Sequence, residues 1–337
     1  MTLSPALWLL VFVVSAVAIV WFGTRLARSA DEIAERAGLS RLFVGMILVA
    51  GATSLPEIVT DVSASLAGAP DLAVGDLFGS SMANMAILAV VDLLHRRRVW
   101  PRVEIGHARV ASVAIALTAF AVIGILVSPN VRIGWIGVDT LAIAAAYVFA
   151  VAWMRRSPDS RFLDGQVLPV PIGWGDRQER GLRPAVTRFS LSAVGILVSA
   201  PFLAYSAREI ATATGVGETF VGTTLLALAT SLPEMIAAVA AVRIGAQDLA
   251  VGNLFGSNCF NMAALLFADL AYGPGPLLGA VHLGQAVAGV SAVLLMSLAL
   301  AAIVHGTETR VARLEPDAIF LLLVYLGGLG AVWMVGG

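Results

Sequence analysis

Two short motifs place a carboxylate and a proline inside the most apolar segments of this chain. The first reads GATSLPE and contains Pro56 and Glu57, and the second reads LATSLPE and contains Pro233 and Glu234. An ionisable side chain within a membrane-length apolar run is costly, and it usually marks a substrate or ion pathway. Because the same four residue types recur 177 positions apart, the sequence predicts that the two motifs act together.

Oxygen-bearing side chains share one helix face in each copy of the motif. The hydroxyls stand three and four residues before the glutamate, so they lie on its side of a helix. In the first copy these are Thr53, Ser54 and Glu57, and in the second they are Thr230, Ser231 and Glu234. The next predicted helix of each copy adds a hydroxyl and an amide at i, i+4. These are Ser80 with Asn84, and Ser257 with Asn261.

The two prolines should loosen the backbone beside these side chains. Proline has no N–H, so Pro56 leaves the carbonyl of Ala52 without its helical partner, and Pro233 does the same to Ala229. A freed carbonyl in lipid needs a cavity or a bound cation. A cage of oxygen ligands with two carboxylates suits Ca²⁺ or several Na⁺. The alternative is that kinked helices merely pack through Ser and Thr.

The composition indicates a protein with several membrane spans. Of 337 residues, 59% are hydrophobic and 13% are charged, with a mean hydropathy of +0.90, whereas soluble domains carry about 25% charged residues. The net charge of −1 argues against a nucleic-acid partner, and the single Cys259 excludes an intrachain disulfide. No basic residue precedes the apolar run at 6–22, which predicts a retained first span rather than a cleaved signal peptide.

The sequence predicts a wholly α-helical membrane protein, because it contains ten apolar windows long enough to span a membrane. They fall at about 3–28, 40–67, 71–94, 107–128, 132–154, 185–206, 217–244, 248–271, 279–304 and 315–335. A polar, cytoplasmic linker at 155–184 separates one five-helix half at 1–154 from another at 185–337. If both termini lie outside, 19 of the 21 arginines face the cytoplasm, as the positive-inside rule expects. Only Arg132 and Arg208 then lie outside.

The two halves contain an internal repeat. Phe43–Leu88 aligns with Phe220–Leu265 without a gap, and 28 of 46 positions are identical. Each half has five predicted helices, an odd number, so the second copy enters the membrane from the opposite face. The sequence therefore predicts an inverted-topology repeat, the architecture of alternating-access transporters, with the substrate site near the membrane midplane.

The paired motifs resemble a known family. GATSLPE followed by VGDLFGSSMANM, and LATSLPE followed by VGNLFGSNCFNM, are similar to the two α-repeats of the cation/calcium exchanger superfamily, in its sodium/calcium exchanger branch. The resemblance implies an antiporter of the cell (inner) membrane that exports Ca²⁺ against Na⁺ and needs no cofactor. It implies central ligands at Glu57 and Glu234, with the hydroxyl and amide side chains above around them. It also implies backbone ligands at Ala50 and Ala227.

The chain departs from the family pattern in ways that bear on the number and charge of the exchanged ions. Asp76 and Ser81 stand where the family has asparagine, and Asn261 stands where prokaryotic relatives often have aspartate. Asp76 is predicted as a polar contact at a helix start, with a cation relay as the alternative. Asp61, whose counterpart is Ala238, either lines the outer ion path or makes a satisfied polar contact.

The remaining polar residues receive structural predictions. Asp71 and Asp248 are predicted as helix N-caps, and Asp92 and Asp269 as solvated helix ends. The four histidines are predicted near span ends, where none serves as a catalytic base; they are His95, His107, His282 and His305. Four glycines are predicted to permit close helix approach rather than to hold a nucleotide; they are Gly75, Gly79, Gly252 and Gly256.

Three other functions were compared with Na⁺/Ca²⁺ exchange. A proton/Ca²⁺ (or other divalent cation) antiporter on the same fold, with Glu57 or Glu234 carrying protons, stays open, although a GNAAE-like signature typical of that branch is absent. An ion channel is disfavoured because an inverted repeat with broken helices suits alternating gates. An intramembrane hydrolase is disfavoured because no nucleophile with a positioned base can be assembled at depth.

Overall fold

The described part of the chain is almost entirely helical. A computed structural model describes residues 4–36, 53–94, 107–127, 131–156, 182–243, 247–305 and 316–336. The helices there are α1 Pro5–Arg36, α2 Leu55–Leu66, α3 Pro70–Leu94, α4 His107–Val127, α5 Val138–Arg156, α6 Leu182–Thr214, α7 Glu218–Thr230, α8 Leu232–Arg243, α9 Gln247–Tyr272, α10 Leu277–Ala280, α11 Gly284–His305 and α12 Pro316–Gly336. Strands β1 Arg132–Ile133 and β2 Ile136–Gly137 lie between α4 and α5.

The prediction of a helical protein with several membrane spans is confirmed. Among the described residues, seven helices are long and apolar enough to cross a membrane, and the bent pair α7–α8 makes up to eight. The predicted window at 40–67 lies partly outside the described residues. The window at 132–154 is shorter than predicted, because its apolar helix covers only Val138–Met154.

A small hairpin corrects the prediction of a wholly α-helical chain. Strands β1 and β2 pair antiparallel, with Ile133 opposite Ile136, where the sequence predicts the start of the fifth span. Gly134 lies in the turn with a φ of +68°, a conformation that glycine adopts without steric cost. The indole N–H of Trp135 donates to the carbonyl of Leu270 at 3.1 Å. The hairpin therefore ties the start of α5 to the end of α9.

Helix α3 lies at the centre of the packing, and other helices present apolar side chains outward. Nearly every residue of α3 is buried, and it contacts α7, α9, α11 and α12. In contrast, Val17 of α1, Phe149 of α5 and Leu326 of α12 are more than half exposed. Lipid contacts apolar side chains, whereas polar side chains in a membrane are kept in the protein interior. Exposed apolar side chains around a buried central helix therefore fit a membrane protein.

Helices α1 and α6 pack along one another and against the two proline motifs. An ion pair between Glu32 and Arg188 joins them near one end. Gly23 of α1 faces both motif prolines, since a Cβ at Gly23 would lie 2.9 Å from the ring of Pro233 and 3.4 Å from that of Pro56. Helix α1 therefore contacts both copies of the motif where they meet.

Two predictions about helix-end aspartates were wrong. Asp269 is not solvated but fully buried, and its carboxylate accepts hydrogen bonds at 2.8 Å from the backbone N–H groups of Gly137 and Leu277, and another from the hydroxyl of Thr140. Asp92 is fully buried as well. A buried carboxylate is stable when donors from neighbouring segments surround it, and for Asp269 two of the three donors, Gly137 and Thr140, are distant in sequence.

Asp71 is not an N-cap but a link between helices. It lies inside the first turn of α3, which begins at Pro70. Its Oδ1 accepts a hydrogen bond from the backbone N–H of His282 at 2.8 Å and from the hydroxyl of Thr219 at 3.2 Å. The side-chain amide of Gln285 donates to the Asp71 carbonyl at 2.6 Å. The start of α3 is therefore attached to the starts of α7 and α11.

Candidate cation site

Both proline motifs break their helices in the same way. Ser54 has φ −89° and ψ 1°, and Ser231 has φ −85° and ψ 2°. Each serine stands two residues before the proline that removes a helical N–H donor. In the second copy, α7 and α8 meet at Ser231 with a bend of 47°. The predicted interruption of the helix is therefore present in the two motifs.

A π-helical turn precedes the break in the second copy. Residues Gly222–Leu226 of α7 form this turn, a feature that often lies at functional sites because it re-aims side chains and carbonyls. Gly79 of α3 packs directly on it. A Cβ at Gly79 would lie 2.6 Å from Cα of Thr223 and 2.7 Å from Cβ of Ala227. The predicted close approach at Gly79 is confirmed, and it brings α3 against α7.

The structure brings the two motif glutamates together in its interior. Glu57 and Glu234 are each 0% exposed, and they are near enough to repel one another electrostatically. Among the described side chains, none donates a well-aligned hydrogen bond to Glu57, and Thr53 is the one that interacts with the carboxylate of Glu234 as a hydrogen-bond donor. Two buried carboxylates without a positive partner cost several kcal/mol each, by order of magnitude. A bound cation would remove that cost.

Hydroxyl groups connect the two copies of the motif. Ser80 Oγ lies 3.4 Å from Thr230 Oγ1, which joins α3 of the first copy to α7 of the second. Thr53 of the first motif interacts with the carboxylate of Glu234. The hydroxyls of Ser54, Ser231 and Ser257 are buried, and no described residue hydrogen-bonds to them. These oxygens can therefore turn toward an ion.

The two predicted amide ligands are buried and have unpaired polar atoms. The Asn84 amide donates to Oδ1 of Asn258 at 2.8 Å, and Asn258 in turn donates to the carbonyl of Ser81 at 3.3 Å. This leaves the Asn84 carbonyl oxygen without a partner, and both polar atoms of the buried Asn261 also lack one. Asn258 thus orients Asn84, a role that was not assigned from sequence. The sequence marks Asn258 only as the residue that occupies the position of Ser81 in the second repeat.

Asp76 makes a polar contact with the predicted ligand Thr230 rather than within the first turn of its own helix, and the alternative of a cation relay stays a prediction. It is fully buried in the second turn of α3, and its Oδ1 accepts a hydrogen bond from Thr230 at 2.9 Å. Asp61 of α2 lies against Asp76 and is 1% exposed. Asp61 contacts Asp76 and receives no hydrogen bond from another described donor, so both alternatives for Asp61 stay predictions. Both aspartates interact electrostatically with Glu57.

The other predicted positions lie at the edge of the site or away from it. Ala50 lies outside the described residues. The Ala227 carbonyl accepts the backbone N–H of Ser231 at 3.0 Å, which places it beside the break. Among the histidines, His107 begins α4 and contacts the surface of Gly252, and His305 ends α11; His95 lies outside the described residues.

The site offers mixed oxygen ligands rather than a cluster of acids. Among the described residues, no three His, Cys, Asp or Glu side chains converge on one metal position. An ion held here would therefore combine carboxylate oxygens with hydroxyl, amide and carbonyl oxygens. Hard cations such as Ca²⁺ bind this kind of ligand set, and Ca²⁺ is usually coordinated by about six to eight oxygens.

Comparison with known proteins identifies the family. Residues 7–155 and 185–334 match the family described as "Sodium/calcium exchanger protein". The chain belongs to that family, which confirms the resemblance seen in the motifs.

Relatives and solved structures agree with this assignment. "Inner membrane protein YrbG" of Escherichia coli is 27% identical over 269 residues, covering 79% of this chain and 80% of the relative. "Sodium/calcium exchanger MaX1" of Methanosarcina acetivorans is 24% identical over 265 residues, covering 71% and 75%. A solved structure of the sodium-calcium exchanger NCX_Mj superposes with a TM-score of 0.61 at 19% identity, covering 97% of this chain and 99% of that one. The fold is shared with that exchanger.

Proposed function

We propose that this protein is a secondary antiporter that exchanges Na⁺ for Ca²⁺ by alternating access and exports Ca²⁺ from the cell. The observation that carries the proposal is the pair Glu57 and Glu234. They come from two copies of one motif, are fully buried, and have no basic side chain paired with them among the described residues. A pair of this kind is neutralised by one Ca²⁺ and leaves no net charge in the membrane.

The proposed ligands are those that the motifs predict. They are the carboxylates of Glu57 and Glu234, the hydroxyls of Thr53, Ser54, Ser80, Thr230, Ser231 and Ser257, the amides of Asn84 and Asn261, and the carbonyls of Ala50 and Ala227. The same oxygens take Na⁺ in the exchanging state. Ca²⁺ and Na⁺ are the cargo, so the protein needs no cofactor and performs no enzymatic reaction.

The proposed topology has ten spans in two inverted halves, with both termini outside. The helix ends that meet in the structure support it. Arg208 donates to the carbonyl of Ala67 at the end of α2, and a Cβ at Gly336, the end of α12, would contact Thr219 near the start of α7. All of these ends fall on the outer side in the proposed topology. The Glu32–Arg188 pair falls on the cytoplasmic side.

A multi-pass location in the inner membrane is part of the proposal. The relative YrbG is named an inner membrane protein, and the arginine distribution orients the chain with the linker 155–184 in the cytoplasm. In that orientation an inward Na⁺ gradient can drive Ca²⁺ out of the cell.

A proton/Ca²⁺ antiporter is the second candidate, and one observation favours it. Asp61 and Asp76 touch within the buried interior, and two carboxyl groups in contact can share a proton. The family assignment favours Na⁺ over this candidate.

The test is to measure ⁴⁵Ca²⁺ uptake into proteoliposomes under imposed ion gradients. Vesicles loaded with Na⁺ and diluted into Na⁺-free medium should take up Ca²⁺, whereas vesicles loaded with choline should not. Glu57→Gln protein in the same lipid is the matched control for leak. Uptake driven by a pH gradient without Na⁺ would replace the Na⁺ exchanger by the proton antiporter.

A further inference from the structure

Two more carboxyl groups lie one helical turn beyond the glutamate pair. Asp61 follows Glu57 by four residues on α2, and Asp76 precedes Ser80 by four residues on α3. Helices α2 and α3 are joined by the short connection at 67–69, so they run antiparallel and bring the two aspartates to one level. Four residues of helix correspond to about 6 Å. The aspartate pair therefore lies about one helical turn away from the glutamate pair, between the same helices.

The aspartate pair is nearly bare of hydrogen-bond donors. Apart from the contact between the two aspartates themselves, Asp61 Oδ1 and Oδ2 and Asp76 Oδ2 are buried without a hydrogen-bond donor among the described residues. Only Asp76 Oδ1 is engaged, by the hydroxyl of Thr230 at 2.9 Å. Ser65, four residues beyond Asp61 on the same face, has a buried hydroxyl that also lacks a partner. The nearest guanidinium on this side, that of Arg208, binds the Ala67 carbonyl and Glu218 instead.

Two ionised carboxylates in contact inside a protein repel one another unless a shared proton or a cation lies between them. We propose that Asp61 and Asp76 form a second cation subsite, which takes a monovalent alkali cation, Na⁺ in the exchange reaction. This proposal deepens the proposed function and rests on it. The cation bridges the unengaged oxygens of both aspartates, one turn to the outer side of Glu57.

The number of ligands favours a monovalent ion over a second Ca²⁺. The aspartate pair has three carboxylate oxygens without a described donor, whereas Ca²⁺ takes about six to eight oxygens. The pair is buried, with Asp61 at 1% and Asp76 at 0% exposure. A second divalent ion about 6 Å from the first would also be repelled by it.

Only the first copy of the repeat carries the two aspartates of this subsite. The positions that correspond to Asp61 and Asp76 in the second copy are Ala238 and Asn253, and neither carries a charge. The subsite is thus placed between the glutamate pair and the α2 end that meets Arg208, the outer side in the proposed topology. Replacing the two aspartates by the residues at the equivalent positions of the second copy, Asp61→Ala and Asp76→Asn, should therefore remove the subsite.

A binding experiment tests the subsite without relying on transport. Protein carrying Glu57→Gln and Glu234→Gln, which weaken the central site, is heated in detergent at constant ionic strength in NaCl, KCl or choline chloride. A ligand that binds the folded state raises the unfolding temperature. We expect Na⁺ or K⁺ to raise it relative to choline, and the larger rise identifies the ion. The rise should vanish when Asp61→Ala and Asp76→Asn are added.

Controls keep the outcome interpretable. Asp317→Asn removes an exposed acid from the first turn of α12 and should leave the Na⁺ effect intact. If the fourfold variant fails to fold, Asp61→Asn and Asp76→Asn are compared singly in the otherwise unchanged chain, since amides keep the size of the side chains. An equal alkali-ion effect with and without the aspartates would overturn the proposal, as would equal stabilisation by choline.

A transport experiment separates this proposal from the proposed function. In proteoliposomes, Asp61→Ala with Asp76→Asn should raise the half-saturating Na⁺ concentration on the outer face by roughly tenfold or more, the scale expected for losing bonds to a charged ligand. The half-saturating Ca²⁺ concentration should change much less. Unchanged Na⁺ dependence would contradict the subsite. Absence of Na⁺-dependent Ca²⁺ flux in the unaltered protein would instead contradict the exchanger, and the binding experiment would still decide the subsite.

Discussion

Gly79→Ala should damage the cation site without replacing any proposed ligand. The new Cβ would lie 2.6 Å from Cα of Thr223 and 2.7 Å from Cβ of Ala227. Carbon atoms in contact normally stand about 3.5–4.0 Å apart, so α3 and α7 must separate by about 1 Å. The first atom is helical backbone and the second is the methyl group of alanine, which has no rotamers. Neither atom can therefore move aside by a change of side-chain conformation.

The separation acts directly on contacts that join the two copies. Ser80 next to Gly79 lies 3.4 Å from the Thr230 hydroxyl, and Asp76 accepts from Thr230 at 2.9 Å. A shift of about 1 Å breaks the second bond, at about 1.5–3 kcal/mol for a bond to a charged group. Overpacking adds about 1–3 kcal/mol. We therefore expect an unfolding temperature lower by several degrees and Ca²⁺ affinity reduced by roughly tenfold or more.

The assay combines thermal unfolding in detergent with Na⁺-dependent ⁴⁵Ca²⁺ uptake over a range of Ca²⁺ concentrations. Gly330→Ala is the matched control, because Gly330 lies in α12 and has no described atom within 4 Å of a built Cβ. That substitution should be neutral or slightly stabilising, since alanine favours helix more than glycine does. A Gly79→Ala protein with unchanged stability and unchanged Ca²⁺ affinity would refute the packing argument.

Three further predictions follow from the site and its supports. Glu57→Gln and Glu234→Gln should each abolish ⁴⁵Ca²⁺ exchange while the protein still elutes as a folded monodisperse peak, because a divalent ion needs both charges; near-normal transport by either variant would exclude the paired-ligand arrangement. Asp269→Ala should lower the unfolding temperature, because it leaves the N–H groups of Gly137 and Leu277 without their acceptor, at about 1–3 kcal/mol for each orphaned group; an unchanged melting curve would contradict this anchoring role. Exchange should be electrogenic, favoured by an inside-negative potential at about 2.3 kcal/mol per net charge per 100 mV; Ca²⁺ uptake that ignores a potential clamped with K⁺ and valinomycin would remove that prediction.

The sequence was sufficient for the parts of the site that repeat within the chain. Glu57 and Glu234 stand out because each interrupts an apolar run and each recurs with the same neighbours 177 positions away. The helix break at Ser54 and Ser231 follows from the missing N–H two residues later, which is a local property of proline. Local spacing and repetition can therefore predict which side chains share a face and where a helix is interrupted.

Contacts between distant helices could not be read from spacing. Asp76 was expected at a helix start, yet it bonds to Thr230, which lies 154 residues away. Asp269 was expected at a solvated helix end, yet its donors come from the hairpin 132 residues away and from Leu277. An aspartate near the end of an apolar run has the same local pattern in water and in a buried network, and only the fold decides between them.

The hairpin and the π-helical turn were missed for a different reason. Both lie at the borders of apolar windows, where residues such as Ile133 and Trp135 continue the hydrophobic pattern while the backbone has left the helix. Hydrophobic windows record which residues avoid water, and they do not record hydrogen-bond geometry. The turn at Gly222–Leu226 packs closely against Gly79, a contact between two halves of the chain that hydrophobic windows do not contain.

The most direct test of Na⁺-coupled Ca²⁺ exchange is simultaneous measurement of ²²Na⁺ and ⁴⁵Ca²⁺ fluxes through the purified protein in sealed vesicles. We predict that the two ions move in opposite directions, that each flux stops when the other ion is removed, and that more than two Na⁺ cross for each Ca²⁺. Both fluxes should vanish together in Glu57→Gln protein. Ca²⁺ movement that proceeds at full rate with no counterflow of Na⁺ would contradict the account.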